Sequence, residues 1–115
     1  MRTTKGMRIA TVWRLCIEMW EWIVERIEAG DERDIEKLKE AWLKEHGYKL
    51  YLDCFFCDYM KRNRDGSCSP CPAVTIDPDF DCMSIVYDYY ENPVKFLAKL
   101  HRMHKKFLKM QKEKR

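Results

Sequence analysis

The sequence predicts a mainly α fold in one domain. A helical hairpin is expected over 8–47, a zinc-knuckle or ribbon-like insert with four cysteine ligands over 48–82, and C-terminal helices over 83–115 that end in an amphipathic helix with a basic face. Three observations predict it. Apolar residues recur at helical spacing in three separate stretches. Glycines stand at 30 and 47, where the first two stretches stop, and two C-x-x-C pairs lie between the second stretch and the last. At 115 residues the chain has room for a single core. A domain of that size buries about 65% of the surface its unfolded chain exposes, a modest core that a bound metal would reinforce.

Residues 8–29 read as a long helix. At 100° per residue, Trp13, Cys16, Ile17, Trp20, Ile23, Val24 and Ile27 share an arc, and Arg14, Glu18, Glu21, Glu25 and Glu28 oppose it. Leu15, Met19 and Trp22 spread the apolar arc to the far side, wider than one packing contact needs. Two readings follow: a central helix packed on two sides, or a contact patch built on Trp22, Met19 and Leu15. That patch would serve a partner protein or a homodimer seam. Gly30 suits the left-handed position after a helix end. Asp31 is the expected N-cap of the second helix, in which Ile35, Leu38, Ala41 and Trp42 repeat at helical spacing up to Gly47. The connection is short, so the two helices should run antiparallel. Tyr48, Leu50 and Leu52 then alternate with Lys49 and Tyr51, a short strand signal.

A short helix is expected from about Cys82 to Glu91, grouping Met83, Val86, Tyr87 and Tyr90. The last helix should start at Asn92-Pro93, a cap followed by proline at the first helical position. Phe96, Leu100, Met103, Phe107 and Met110 form its apolar stripe, widened by Leu97 and Leu108. Lys95, Lys99, Arg102, Lys105, Lys106, Lys109 and Lys112 fill the other side. Charge is accordingly uneven: a balance of −1 over residues 1–53, −4 over 54–94 and +8 over 95–115 lies within a total of +3. Such asymmetry speaks to partners and encounter rates, not to fold.

Cys54-Phe55-Phe56-Cys57 and Cys68-Ser69-Pro70-Cys71 carry the strongest chemical signal. Each C-x-x-C turn can present two sulfurs to one ion, and two turns supply the four soft thiolates of a tetrahedral zinc site. The ten-residue link contains Asp65-Gly66, a turn signal that lets the pairs meet. Binding of structural zinc contributes about 10–16 kcal/mol in zinc-finger peptides. Cys82 follows Cys71 at the same interval that separates Cys57 from Cys68, and is either an alternative ligand or a core cysteine. Cys16 lies on the apolar arc and reads as core. An iron–sulfur cluster is the lesser alternative, since no ferredoxin spacing is present. A disulfide framework is disfavoured because nothing marks the chain for an oxidising compartment. His101 and His104 are one turn apart and read as structural, as does His46 at a helix end.

No catalytic constellation is visible: there is no phosphate-cradling glycine loop, nucleophile elbow or HExxH. Asp77, Asp79 and Asp81 lack the turn glycine and distal Glu of a calcium loop. An enzyme is not expected. Neither is a membrane span or a secretory signal, so a cytoplasmic location is expected.

Asp53-Cys54-Phe55-Phe56-Cys57-Asp58-Tyr59, then Cys68-Ser69-Pro70-Cys71-Pro72, then Cys82 ahead of a Tyr-rich segment, resembles small cysteine-rich proteins encoded by tailed phages. In those proteins a Trp-rich N-terminal segment precedes the same order of cysteines, and the likeness spans about residues 13–90. The resemblance implies zinc, a phage or prophage origin and action in a host cytoplasm, and supplies no activity. The basic C-terminal helix lies outside it.

Two classes of function remain. In the first, a zinc-stabilised module engages a host protein and inhibits or redirects a host enzyme such as a defence nuclease. Trp22, Met19 and the basic residues Lys95, Lys99, Arg102, Lys105, Lys106 and Lys109 are its expected contacts. In the second, the same basic helix binds nucleic acid directly along the phosphate backbone. Against the second stands the lack of a base-reading set of side chains. Electron transfer is a third, weaker class, tied to the cluster alternative.

Overall fold

A computed structural model describes residues 2–50, 54–63 and 92–113. Four helices are present among them: α1 (Ile9–Glu28), α2 (Ile35–Glu45), α3 (Phe55–Asn63) and α4 (Pro93–Glu113). The fold is mainly helical. The expected helix at 82–91 and the second C-x-x-C pair lie outside the described residues, as do Leu52 and Cys82.

α1 is the hub. Its wide apolar arc is explained by packing against α2, α3 and α4 together, which buries Val12, Trp13, Leu15, Cys16, Met19 and Ile23 alike. Ring contacts fix the arrangement. Trp13 meets Phe56 of α3 edge-on at 4.7 Å and stacks on Phe107 of α4 at 5.7 Å. Trp20, two turns on, meets Phe96 near the start of α4 at 4.9 Å, so α1 and α4 run antiparallel. On the other side of the core, Trp42 of α2 meets Phe55 edge-on at 5.9 Å. Each such side chain contributes about 1.5–3 kcal/mol by leaving water. The stripe on α4 behaves as its spacing predicts, with Phe96, Leu100, Met103 and Phe107 buried. Leu97 and Met110 pack beside it, whereas Leu108 is 47% exposed and belongs to the solvent side.

The helix ends follow local chemistry. α1 closes with Gly30 at φ +91°; Gly30 N–H donates to Ile27 C=O and Asp31 N–H to Arg26 C=O. That pair of bonds satisfies carbonyls the helix leaves open. α2 ends in the same way at Gly47, φ +76°, with Gly47 N–H to Lys44 C=O and Tyr48 N–H to Leu43 C=O. The N-cap of α2 is Asp34, not Asp31: its carboxylate accepts Lys37 N–H at 2.9 Å. Asp31 is held instead by Arg33 and Arg26, at 2.7 and 3.1 Å, which fold the connection between the hairpin helices. The Arg33 guanidinium holds its carboxyl far below the usual range. α4 begins as expected, Asn92 Oδ1 accepting Lys95 N–H at 3.1 Å.

The strand signal at 48–52 is represented among the described residues only by an isolated parallel bridge between Arg2 and Tyr48. Arg2 N–H donates to Gly47 C=O and Lys49 N–H to Arg2 C=O. The Arg2 guanidinium donates to His46 C=O and lies 4.5 Å from the Tyr48 ring centre. Two residues later, Thr4 reaches α3: its N–H and hydroxyl both donate to Asp58 Oδ2, at 2.9 and 2.6 Å. Arg62 donates to Oδ1 at 2.9 Å. Thr4 and Asp58 are fully buried. A buried carboxylate is tolerated when its oxygens are satisfied in this way.

Candidate metal centre and basic helix face

The first C-x-x-C pair opens α3. Cys54 precedes the helix and its carbonyl accepts the first intrahelical bond, from Asp58 N–H at 2.9 Å. Its sulfur accepts Cys57 N–H at 3.4 Å, taking the role that a Ser or Asp oxygen has at an N-cap. Phe55 and Phe56 face the core on either side, packed on Trp42, Tyr48 and Trp13, and so hold both thiols at the helix start. Cys54 and Cys57 are half-buried, and no disulfide joins them.

Electrostatics favour the thiolate. The Cys57 side chain hydrogen-bonded to Cys54 brings the Cys54 thiol down to about 6, against burial that pushes it up. Backbone N–H groups of Cys57 and Phe56 and the Lys39 charge act in the same downward direction. A helix N-terminus stabilises a nearby anion, and thiolate is the form that binds metal. Two soft donors at one helix start, with an N–H already aimed at one sulfur, suit half of a tetrahedral thiolate site. Among the described residues, no group of three or more His, Cys, Asp or Glu side chains could hold an ion. Cys68, Cys71 and the alternative ligand Cys82 lie outside the described residues.

The basic face is on α4. Lys95, Arg102, Lys105, Lys106, Lys109 and Lys112 are exposed and Lys99 is half-buried. A shallow surface depression is lined by Arg102, Lys105, Lys106, Lys109 and Lys112 with Leu108 among them. From Lys95 to Lys112 the helix carries seven cations and no acid. The other side of α4 is fixed to α1, so this surface is presented on a rigid support.

No family model, curated protein or solved structure matches this chain.

The remaining expected contacts stand elsewhere. Met19 is 1% exposed, inside the core, and Leu15 is 8% exposed. Trp22 is half-buried and packs against the same cluster. The breadth of the α1 arc therefore reflects three packed neighbours rather than an exposed patch. Cys16 is buried, as its position predicts. His46 hydrogen-bonds through Nδ1 to Trp42 C=O at 2.8 Å and stacks on the Trp42 ring. His101 lies 3.9 Å from a Glu21 carboxylate oxygen. His104 stacks on Trp13, centroids 5.8 Å apart and 8° from parallel. Burial, and then the neighbouring His101, lower its pKa. No helix among the described residues is long and apolar enough to cross a membrane.

Two features escape a periodicity reading. One is α3, which is not among the expected elements, although Phe55, Phe56, Tyr59 and Met60 share a helical face and Lys61 and Arg62 suit a last turn. Lys39, buried on α2, is the other.

Proposed function

We propose that this chain is a non-catalytic, zinc-braced binding module of phage type that engages a host protein in the host cytoplasm. The observation that carries this reading is the exposed basic surface of Arg102, Lys105, Lys106, Lys109 and Lys112 on a helix whose opposite side is locked into the core. A rigid surface loses little entropy on docking, and a single-sign face steers it toward an acidic partner. Host enzymes that hold divalent cations in carboxylate clusters, nucleases among them, present such a surface; covering it would inhibit or redirect them. Zinc on Cys54, Cys57, Cys68 and Cys71, with Cys82 as the alternative ligand, would brace the middle of the chain, and no step of binding needs the metal itself.

The experiment is an affinity pull-down from bacterial lysate with the full chain and with the Lys105→Glu/Lys109→Glu variant, each with and without nuclease treatment. A protein partner retained after nuclease and lost with the variant supports the reading. Partners unaffected by the charge reversals refute the assignment of the surface.

A direct nucleic-acid role is the second reading, favoured by the linear spread of the cations. From Lys95 to Lys112 they extend over about 25 Å at 1.5 Å per residue, a length on which several phosphates can be met. Its mark is a gel shift that weakens steeply with salt and is lost in the same variant. No shift at low salt removes it.

A further inference from the structure

The apolar side chains of α4 divide into two sets. Phe96, Leu100, Met103 and Phe107 are buried, whereas Val94 and Leu108 are 51% and 47% exposed, the large hydrophobic residues left in water among the described residues. Val94, His101 and Leu108 stand seven residues apart, and seven residues return an α-helix to within about 20° of the same side. They therefore share one edge. That edge is the one beside α1, because His101 Nε2 lies 3.9 Å from Glu21 Oε2. On α1, Glu21 and Glu28 repeat the seven-residue interval and are exposed, with Glu18 and Glu25 exposed next to them. On α4, Lys105 and Lys112 are also seven apart and exposed, one helical turn to either side of Leu108. The two helices are antiparallel, with Trp20 against Phe96 and Trp13 against Phe107. The acidic half of α1 thus lies beside the N-terminal half of α4, and the basic half of α4 lies at the other end. This side of the molecule is acidic at one end and basic at the other, with an exposed apolar residue in each half.

We propose that this side of α1 and α4 binds a second copy of the chain about a two-fold axis near His101, the basic half of α4 lying over the acidic half of α1 of the second copy. A two-fold contact must be self-complementary, and a surface with opposite charges at its two ends becomes so when it is turned end over end. Rotation at the level of His101 brings Leu108 opposite Val94 of the second copy, since each is seven residues from His101. It also carries Lys105 and Lys112 toward Glu21 and Glu28 of the second copy, two pairs with one spacing. Opposite charges so placed steer encounter and fix register, while the exposed apolar residues supply the dry part of the contact. Two helices about 30 Å long and about 10 Å apart offer roughly 600 Å² per copy, less than the ~800 Å² of a standard interface. The dimer is therefore reversible and sensitive to salt. Arg102 and Lys109 lie about a quarter turn from this edge and stay open to the acidic partner proposed above, so the two inferences stand or fall separately.

Sedimentation equilibrium of the full chain tests it, with nuclease-treated protein in reducing buffer, from low to high micromolar chain and at about 0.05 and 0.5 M salt. Lys105→Glu/Lys112→Glu reverses the basic end, and Glu21→Lys/Glu28→Lys reverses the acidic end. The expected result is a monomer–dimer equilibrium in the wild type that weakens with salt. Each double variant alone should be monomeric, and an equal mixture of the two should dimerise again, because opposite charges then meet at both ends. Leu108→Asn should raise the dissociation constant about tenfold and leave the salt dependence in place. Circular dichroism checks that each variant is folded. Should a reversal not fold, the neutral pair Lys105→Gln/Lys112→Gln or Glu21→Gln/Glu28→Gln takes its place and should weaken both the dimer and its response to salt. A wild type that is monomeric throughout overturns the inference, as does a dimer indifferent to either charge change. A mixture that stays monomeric overturns the pairing of the two ends, and an unchanged constant in L108N removes Leu108 from the contact.

Discussion

Asp58→Ala should be among the most damaging single substitutions in the described part of the chain. Asp58 is fully buried and accepts hydrogen bonds from the Thr4 N–H, the Thr4 hydroxyl and Arg62. Arg62 is 35% exposed and can turn to water when its partner goes. Thr4 is fully buried, so its N–H and hydroxyl lose the Asp58 oxygen where water does not reach them. Each of these two donors costs about 1–3 kcal/mol when it loses its acceptor, which gives a destabilisation of about 2–6 kcal/mol. On a chain of this length that corresponds to a fall in Tm of roughly 8–24 °C. Thr4→Val, which removes only the hydroxyl, should cost about 1–2 kcal/mol. The assay is urea unfolding followed by tryptophan fluorescence, with zinc at one fixed, saturating concentration so that metal linkage does not enter the difference. The double variant should be less destabilised than the two singles added together, by more than about 1 kcal/mol. A D58A midpoint within error of the wild type, or strict additivity, refutes the reasoning.

Elemental analysis should find one zinc per chain, and chelation or Cys57→Ser should lower the unfolding midpoint; iron with a visible charge-transfer band would favour the cluster instead. Phe107→Ala, which empties the space beside Trp13, should cost about 3–5 kcal/mol by chemical denaturation. Because burial lowers the pKa of His104 in the folded state, the unfolded chain binds more protons there. Its contribution to stability is full above about pH 6.5 and declines as pH falls toward and through the lower folded value. A His104→Phe variant should lose that part of the acid sensitivity, as melting curves across pH 5–8 would report. Gly47→Ala meets nothing closer than Arg2 Nε at 4.0 Å, so its cost should be only that of a left-handed alanine, about 1 kcal/mol.

What could be read in advance was what local chemistry decides. α1 and α2 stop at Gly30 and Gly47 because glycine alone takes those left-handed positions without cost, and Asn92-Pro93 starts α4 because both residues are built for that place. The stripe from Phe96 to Phe107 needed nothing beyond its spacing. Failures came where the deciding contact is one that apolar spacing does not register. Asp31 resembles an N-cap as well as Asp34 does, and only the arginines on either side of the bend claim it. The breadth of the apolar arc on α1 fits three packed neighbours as well as it fits an open patch. Met19 inside the core decides for the former. α3 was hidden because its cysteines suggested a turn, while the aromatic pair between them was already marking a helix face. Sequence spacing singled out Cys54 and Cys57, whose sulfurs lie at the start of α3. Nothing in the pattern of α2 distinguishes Lys39 from the solvated lysines beside it, because burial of a single charged residue is settled by what the next helix brings to it.

The bond between Thr4 and Asp58 spans 54 positions, and this has a consequence for birth on the ribosome. Thr4 leaves the exit tunnel well before Asp58, so their bond must wait for the start of α3. At translation speeds of about 5–20 residues per second, that delay is about 3–11 s. Throughout it the segment around Thr4 lacks its Asp58 acceptor. Slowing elongation just upstream of α3 would prolong that interval, and a chaperone that shelters emerging chains would find its client there.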